Sequence, residues 1–304
     1  MTDQDMRWWG WGRPDQPTAV PEQAIALLRT EIGVAAAARP PVALEEVALP
    51  RPRLRRLATA ALIGVVGAER VRTDHATRVV HAAGKGYADL VRMRAGTPDG
   101  APDAVVFPES DEQVGALLMA CRRLGVAVVP FGGGTSVVGG VAPERGRHHA
   151  VIALDLRGLD GLAEVDRESL TVRVGAGIRG PALEARLAAH GLTLGHFPQS
   201  FEYVSLGGCA ATRSAGQAQS GYGRIDDLVS GVRLRSPIGD LDLAPLPASG
   251  AGPSVRSLVV GSEGVLGVIT ELSLRVRPRP ELTHYEGMFF EGFEQGAQAL
   301  RLAA

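Results

Sequence analysis

The apolar run "VAVV" leads directly into "PFGGGTSVVGG" at residues 130–140, which holds five glycines in eleven positions. A strand-like run that empties into consecutive glycines constrains the fold more than any other stretch of this chain. Glycine reaches positive φ at no steric cost, so successive N–H groups can converge into a concave nest for an anion. Thr135 and Ser136 add hydroxyl donors. Such a loop suits a pyrophosphate and needs no lysine if backbone amides supply the donors. The competing reading is a tight turn that serves packing alone.

Neither common phosphate motif accounts for the loop. "GTSVVGG" has two glycines at P-loop spacing, but no lysine is nearby and Val141 follows Gly140. The dinucleotide fingerprint GxGxxG fails because Val137 stands where the third glycine is required. "GAGIRG" at 175–180 does match GxGxxG, between a strand pattern and a helix pattern. The helix "PALEARLAAH" is short, however, and "LTLGHFPQSFE" brings Gly195 and Pro198 instead of a clean strand ending in an acidic residue. A tight strand-to-helix turn explains "GAGIRG" better than a nicotinamide site does.

Composition excludes several other classes. The chain has 304 residues, 45% hydrophobic and 21% charged, with a formal net charge of -1. That describes a globular protein with a large core and no basic face for nucleic acid or anionic membrane. Cys121 and Cys209 lie in no CxxC or CxxH pattern, so no metal site and a reducing compartment, the cytoplasm, are expected. The start "MTDQDMRWWGWG" lacks a basic n-region and an apolar h-region. "ATAALIGVVGA" at 58–68 is too short to span a bilayer and reads as a buried element.

The pattern along the chain alternates. Residues 1–97 read as mostly helical, with "PEQAIALLRTEIG" a helix from Pro21 to Gly33. From 98 the texture is mixed. "PDAVVFP" reads as a strand, and "SDEQVGALLMACRRLG" as a helix with a Ser110–Gln113 capping box and a Gly125 stop. "VAVVPF", "HAVIALDL", "SLTVRVGAGI", "LVSGVRLRSP" and "LGVITELSLRVRPRP" read as strands. In the last of these, Val268, Thr270, Leu272, Leu274 and Val276 share one face. The expected class is α+β, with domains at 1–97, 98–278 and a new, incomplete element at 279–304.

Two further stretches share the small-residue texture of the first loop: 197–229, built from glycine, alanine and serine, and "GSEGVLGVIT" at 261–270 with glycines three apart. Several such segments in one domain suit one long, flat ligand lying close to backbone, and FAD has that shape.

The motifs "PFGGGTSVVGG", "GLTLGHFPQS", "SLGGCAATRSAG", "YGRIDDLV" and "GSEGVLGVITELSLRVRP" occur in the order seen in FAD-linked oxidases of the p-cresol methylhydroxylase and vanillyl-alcohol oxidase type. Within that group the chain most resembles the alkyldihydroxyacetonephosphate synthase branch. "RWWGWG", "RVVHAAGKGYADLVRMRAG" and "FEGFEQGAQAL" support that branch. The resemblance implies an FAD-binding fold of two α+β subdomains, a helical N-terminal segment and the truncated start of a cap domain.

It also implies roles. Pro130, Phe131, Gly132, Gly133, Gly134, Thr135 and Ser136 would wrap the FAD pyrophosphate. Gln199, Ser200, Phe201, Glu202, Tyr203, Val204 and Ser205 would run beside the flavin, with Ser205 near the ring. Thr212, Arg213, Ser214 and Ala215 would continue that cradle. Glu263, Gly264, Val265, Leu266, Gly267, Val268 and Ile269 would hold the adenosine side. Thr135 stands where relatives with tethered flavin carry a histidine, so non-covalent FAD is implied.

In the synthase branch the implied reaction exchanges acyl for alkyl on a dihydroxyacetone phosphate ester with no net redox change. Neighbouring branches oxidise a 2-hydroxy acid such as D-lactate or glycolate. The family is longer, and its cap and C-terminal tyrosine and histidines have no counterpart here, so an inactive FAD-binding fragment is the alternative and no catalytic residue is assigned. The partners expected are a small-molecule substrate and a second copy of the chain in a homodimer. Arg213 and Arg224 are candidates to meet an anion or to pair structurally. His148 and His149 fit a solvated loop, and His196 a structural histidine near the ligand.

Overall fold

The computed structural model describes residues 6–16, 20–33, 40–246 and 249–303. The chain divides into two compact units, residues 1–108 with 116–155, and residues 109–115 with 156–304.

The first unit is built on a four-stranded sheet. Its strands are β1 (Val71–Arg72), β2 (Ala104–Val106), β3 (Val126–Phe131) and β4 (Ala150–Asp155), in the order β1-β2-β4-β3. β2 and β3 run parallel to β4, and β1 is antiparallel to β2. Every residue of β2 and β4 is buried, as in parallel strands covered on both faces. β3 is an edge strand, which accommodates Pro130, a residue with no N–H to donate.

Helices supply the rest of this unit. The apolar stretch at 58–68 forms the helix Arg56–Val66, which buries Ala58, Leu62 and Val66. Helix Glu22–Ile32 starts at Pro21 and stops at Gly33 in the left-handed region, and buries none of its residues. The helix Asp111–Leu124 begins in the segment grouped with the second unit and stops at Gly125, φ +64°. Ser110 Oγ accepts the Gln113 N–H at 3.3 Å, but Gln113 Oε1 reaches the N–H of Glu109, at 2.8 Å, not that of Ser110. The capping box is thus displaced by one residue at its return arm. Cys121 lies in the core beside Leu117 and Val114.

The second unit carries an antiparallel five-stranded sheet. Its strands are β5 (Leu162–Asp166), β6 (Thr171–Gly175), β8 (Val229–Arg235), β9 (Leu241–Leu243) and β10 (Val268–Arg275), in the order β5-β6-β10-β8-β9. β7 (Leu192–Thr193) pairs separately with β11 (Arg277–Pro278). Val268, Thr270, Leu272, Leu274 and Val276, read from the sequence as one face, are all buried. Only Leu272, Leu274 and Val276 of them pack with Val172, Val174, Leu183, Leu187 and Ile225 in one apolar cluster; a register shift after Ile269 puts Ile269 into that cluster in place of Val268 and Thr270. β5 and β9 escaped the sequence reading because edge strands with one wet face carry no clean alternation; β5 is partly or fully exposed throughout. One parallel-type and one antiparallel α+β unit match the expected fold class. The final helix, Phe293–Ala303, buries no residue, and no helix among the described residues is long and apolar enough to cross a membrane.

Candidate functional site

The glycine loop leaves the carboxyl end of β3, the end of a parallel strand where α/β sheets receive ligands. Gly134 has φ +67°, and a Cβ there would lie 2.6 Å from the Phe131 ring. Phe131 thus turns inward and closes the space beneath the loop. Gly132, Gly133, Thr135 and Ser136 are half-buried. Ser136 Oγ accepts the N–H of Gly140 at 3.0 Å, and its carbonyl accepts the N–H of Lys85 at 2.6 Å. The loop is therefore a fixed backbone curve and not a slack connection.

The GxGxxG glycines of the second unit have another explanation. A Cβ on Gly175 would strike the Leu159 carbonyl, one on Gly177 the Leu156 carbonyl, and one on Gly180 the Phe201 ring at 2.6 Å. β6 pairs antiparallel on both sides, so no βαβ unit exists for a nicotinamide dinucleotide. These glycines serve packing, as the sequence reading favoured.

The second and third candidate segments converge within the second unit. Ser205 is buried and caps the helix Leu206–Thr212, accepting the Gly208 N–H at 3.2 Å. Its backbone bridges Arg179, and Gly207 sits so close to Ala176 that a Cβ would lie 2.7 Å from the alanine side chain. Tyr203 and Val204 are buried, whereas Gln199 and Glu202 are exposed and Ser200 and Phe201 lie between. The helix ends at Arg213 in the left-handed region, φ 49°. Thr212, Arg213 and Ala215 are exposed, and Ser214 is half-buried.

Residues 261–263 close on the same helix. The N–H of Gly261 donates to the Ala210 carbonyl and that of Glu263 to the Ala211 carbonyl, both at 2.9 Å. Arg213 is committed here: its Nε donates to the Val260 carbonyl at 2.8 Å and its Nη2 to the Ser257 carbonyl at 2.5 Å. Structural pairing therefore accounts for this side chain. Arg224 donates to Asp226 at 2.6 Å. Farther along, Gly264 and Gly267 are half-buried, Val265 and Leu266 are exposed, and Val268 and Ile269 turn into the core as β10 begins.

His196 is 4% exposed, and its Nε2 lies 2.7 Å from Ser214 Oγ, which ties the two flanks of the cradle together. Burial pushes its pKa down to about 4, so the ring is neutral at ordinary pH. Its Nδ1 is buried without a partner among the described residues, and His196 lines a small cavity with Glu184, Phe201 and Cys209. Sequence reasoning placed His196 near the ligand but gave no sign of Ser214 as its partner, because the two lie eighteen positions apart along the chain. His148 is exposed, in agreement with a solvated loop.

The first unit carries the glycine loop, and the second carries small residues packed around a capped helix. Residues 102–241 match the family described as "FAD binding domain". The chain is 37% identical over 233 residues to an alkyldihydroxyacetonephosphate synthase of Dictyostelium discoideum, covering 77% of this chain and 38% of that protein. It is 36% identical over 184 residues to the mitochondrial D-lactate dehydrogenase [cytochrome] of Arabidopsis thaliana, covering 59% and 31%. A solved alkyldihydroxyacetonephosphate synthase superposes with a TM-score of 0.83 at 30% identity, covering 92% of this chain and 54% of that one. The chain thus spans less than two fifths of the length of these two curated relatives. By domain match, sequence and fold the chain is similar to the FAD-linked oxidases of the p-cresol methylhydroxylase and vanillyl-alcohol oxidase type, in the branch of alkyldihydroxyacetonephosphate synthase.

Proposed function

We propose that the chain binds FAD non-covalently along residues 130–136, 199–205, 212–215 and 263–269, and serves an enzyme that acts through the flavin on a small oxygenated substrate. The carrying observation is the glycine loop at the carboxyl end of β3, fixed by Gly134, Phe131 and the Ser136 carbonyl, inside the segment that matches the FAD binding domain. That match falls within residues 98–278, which supports reading those residues as the FAD-binding portion.

Bound FAD would supply the electron-transfer and adduct chemistry of its isoalloxazine, and the protein would bind and orient it. The amides of residues 132–136 would meet the pyrophosphate. Ser205, held by its capping bond, and Ser214, held by His196, would set the wall beside the ring. Neutral His196 gives that wall no charge at ordinary pH. Likeness to the Dictyostelium synthase favours an acyl-for-alkyl exchange on a dihydroxyacetone phosphate ester. Likeness to the Arabidopsis dehydrogenase supports the second reading, oxidation of a 2-hydroxy acid. Two buried, unpaired thiols agree with a cytoplasmic setting.

The test is the visible spectrum of the purified protein before and after denaturation. A flavin spectrum whose chromophore passes into the supernatant on denaturation is expected, since Thr135 has no ring nitrogen to form a tether. A folded protein that stays colourless with excess FAD overturns the reading. Exchange without an electron acceptor then separates the synthase from the dehydrogenase, which needs one.

A further inference from the structure

The side chain of Lys85 lies within the first unit, is only 7% exposed, and has no role in the site described above. Its ammonium crosses to residues near the start of the chain, donating to the carbonyl of Arg7 at 2.7 Å and of Trp8 at 3.1 Å. Among the described residues no carboxylate pairs with it. Burial lowers its pKa to about 8, so it is still charged at neutral pH. A buried cation held only by neutral carbonyls is stable only while those carbonyls stay in place.

The segment that supplies them is itself fixed. Trp8 is buried in a cluster with Val47, Val79 and Met93. Trp9 meets two guanidinium groups, Arg7 at 5.1 Å and Arg94 at 4.9 Å from its ring centre. Arg7 Nε donates to the Arg13 carbonyl at 2.9 Å, and the Arg7 N–H to the Gly12 carbonyl at 3.0 Å. Residues 7–13 thus form a closed strap.

The other face of Lys85 meets the glycine loop. Its backbone N–H donates to the Ser136 carbonyl at 2.6 Å. A Cβ on Gly84 would collide with that same carbonyl, and one on Gly86 would sit 2.9 Å from the Val137 carbonyl. The "GKG" turn is shaped to the loop's far end, and the lysine between its glycines reaches the strap.

We propose that the strap at residues 7–13 is a retention element for the dinucleotide, with Lys85 as the positioning residue that couples it to the glycine loop. This rests on reading residues 130–136 as the pyrophosphate loop. The strap lies outside the segment that matches the FAD binding domain, and "RWWGWG" gains a role that its sequence alone did not state. Removing either the ammonium or the strap's anchor frees the turn, and the Ser136 carbonyl loses its fixed donor.

The experiment titrates FAD into the full chain and its variants, following flavin fluorescence, with far-UV circular dichroism as the check on folding. Lys85→Met and Trp8→Ala should each weaken FAD binding ~10-fold or more. The double variant should bind no worse than the weaker single, because both act through one link. Lys85→Arg, which keeps a cation and its donors, should recover most of the affinity. Independently of FAD, trypsin should cut after Arg7 faster in Lys85→Met than in the parent. If Lys85→Met does not fold, Trp8→Ala and Lys85→Arg decide: parental affinity in Trp8→Ala overturns the proposal, and so does loss in Lys85→Arg as great as in Trp8→Ala. Parental affinity in a folded Lys85→Met, or losses that simply add in the double variant, overturns it while leaving the FAD site standing. A parent protein that binds no FAD overturns both.

Discussion

The Nε2 of His81 lies 2.9 Å from Oδ2 of Asp155, with 2% and 0% of the two side chains exposed. The His81 Nδ1 lies 2.8 Å from the Thr77 carbonyl, so both ring nitrogens are engaged within the core. The same ring stands 4.3 Å, centre to centre, from Phe131, the residue that closes the space beneath the glycine loop. Removing one partner of a buried pair leaves the other uncompensated. Asp155→Ala should therefore cost about 3–5 kcal/mol, read as a shift in the urea unfolding midpoint. A loss under about 1 kcal/mol would show that the pair adds nothing to the fold.

Gly177 and Gly191 separate two reasons for a glycine. Gly191 has φ +71° and open space around its absent side chain, whereas Gly177 faces the Leu156 carbonyl too closely for any Cβ. Gly191→Ala should cost only the left-handed penalty, about 1–2 kcal/mol. Gly177→Ala should cost more, because backbone must move, by about 1–3 kcal/mol beyond an ordinary substitution. Thermal melts of the two variants give the order, and the reverse order would refute the packing account. NADH titration should show no binding, in keeping with the antiparallel setting of β6.

The buried His196 makes stability depend on acid. Its pKa falls from 6.5 to about 4 on folding, so between those values the unfolded chain binds the extra proton. Stability from this group is complete above pH 6.5 and declines as pH falls toward 4, at up to about 1.4 kcal/mol per pH unit. Urea titrations at pH 5 and pH 7.5 should show a larger acid loss in the parent than in His196→Asn. Equal losses in the two would mean the ring is protonated in the fold.

Both cysteines should be silent to thiol reagents in the native state. Burial raises Cys121 to about 12 and Cys209 to about 11, and both lie in the core. The thiolate is the reactive form, so neither should react with a disulfide reagent at pH 8 until urea is added. Rapid labelling of the folded chain would show that one of the two helices carrying them opens readily.

Much of this was legible in the sequence. The run "VAVV" into glycines is a strand and a fixed loop, and the alternation at 272–276 is a core face, whereas the register shift after Ile269 was not legible. Helix stops at Gly33 and Gly125 followed from the left-handed region that glycine tolerates. Strands β5 and β9 were not legible, because at a sheet edge the partner strand, not the strand's own alternation, fixes the extended conformation. Nor could sequence decide between an anion-binding and a structural Arg213, since its carbonyl partners at 257 and 260 lie far along the chain.

The sequence by itself determined the local elements: which runs are strands, where helices stop, and which loop has the backbone freedom to cradle an anion. These depend on side-chain period and on φ, properties of neighbouring residues. Only the tertiary structure decided that the glycines of "GAGIRG" are spent on packing, that His196 meets Ser214, and that Lys85 joins residue 7 to residue 136. Each of those depends on groups brought together across long stretches of chain, where burial and unmet hydrogen bonds, not local preference, select the partner.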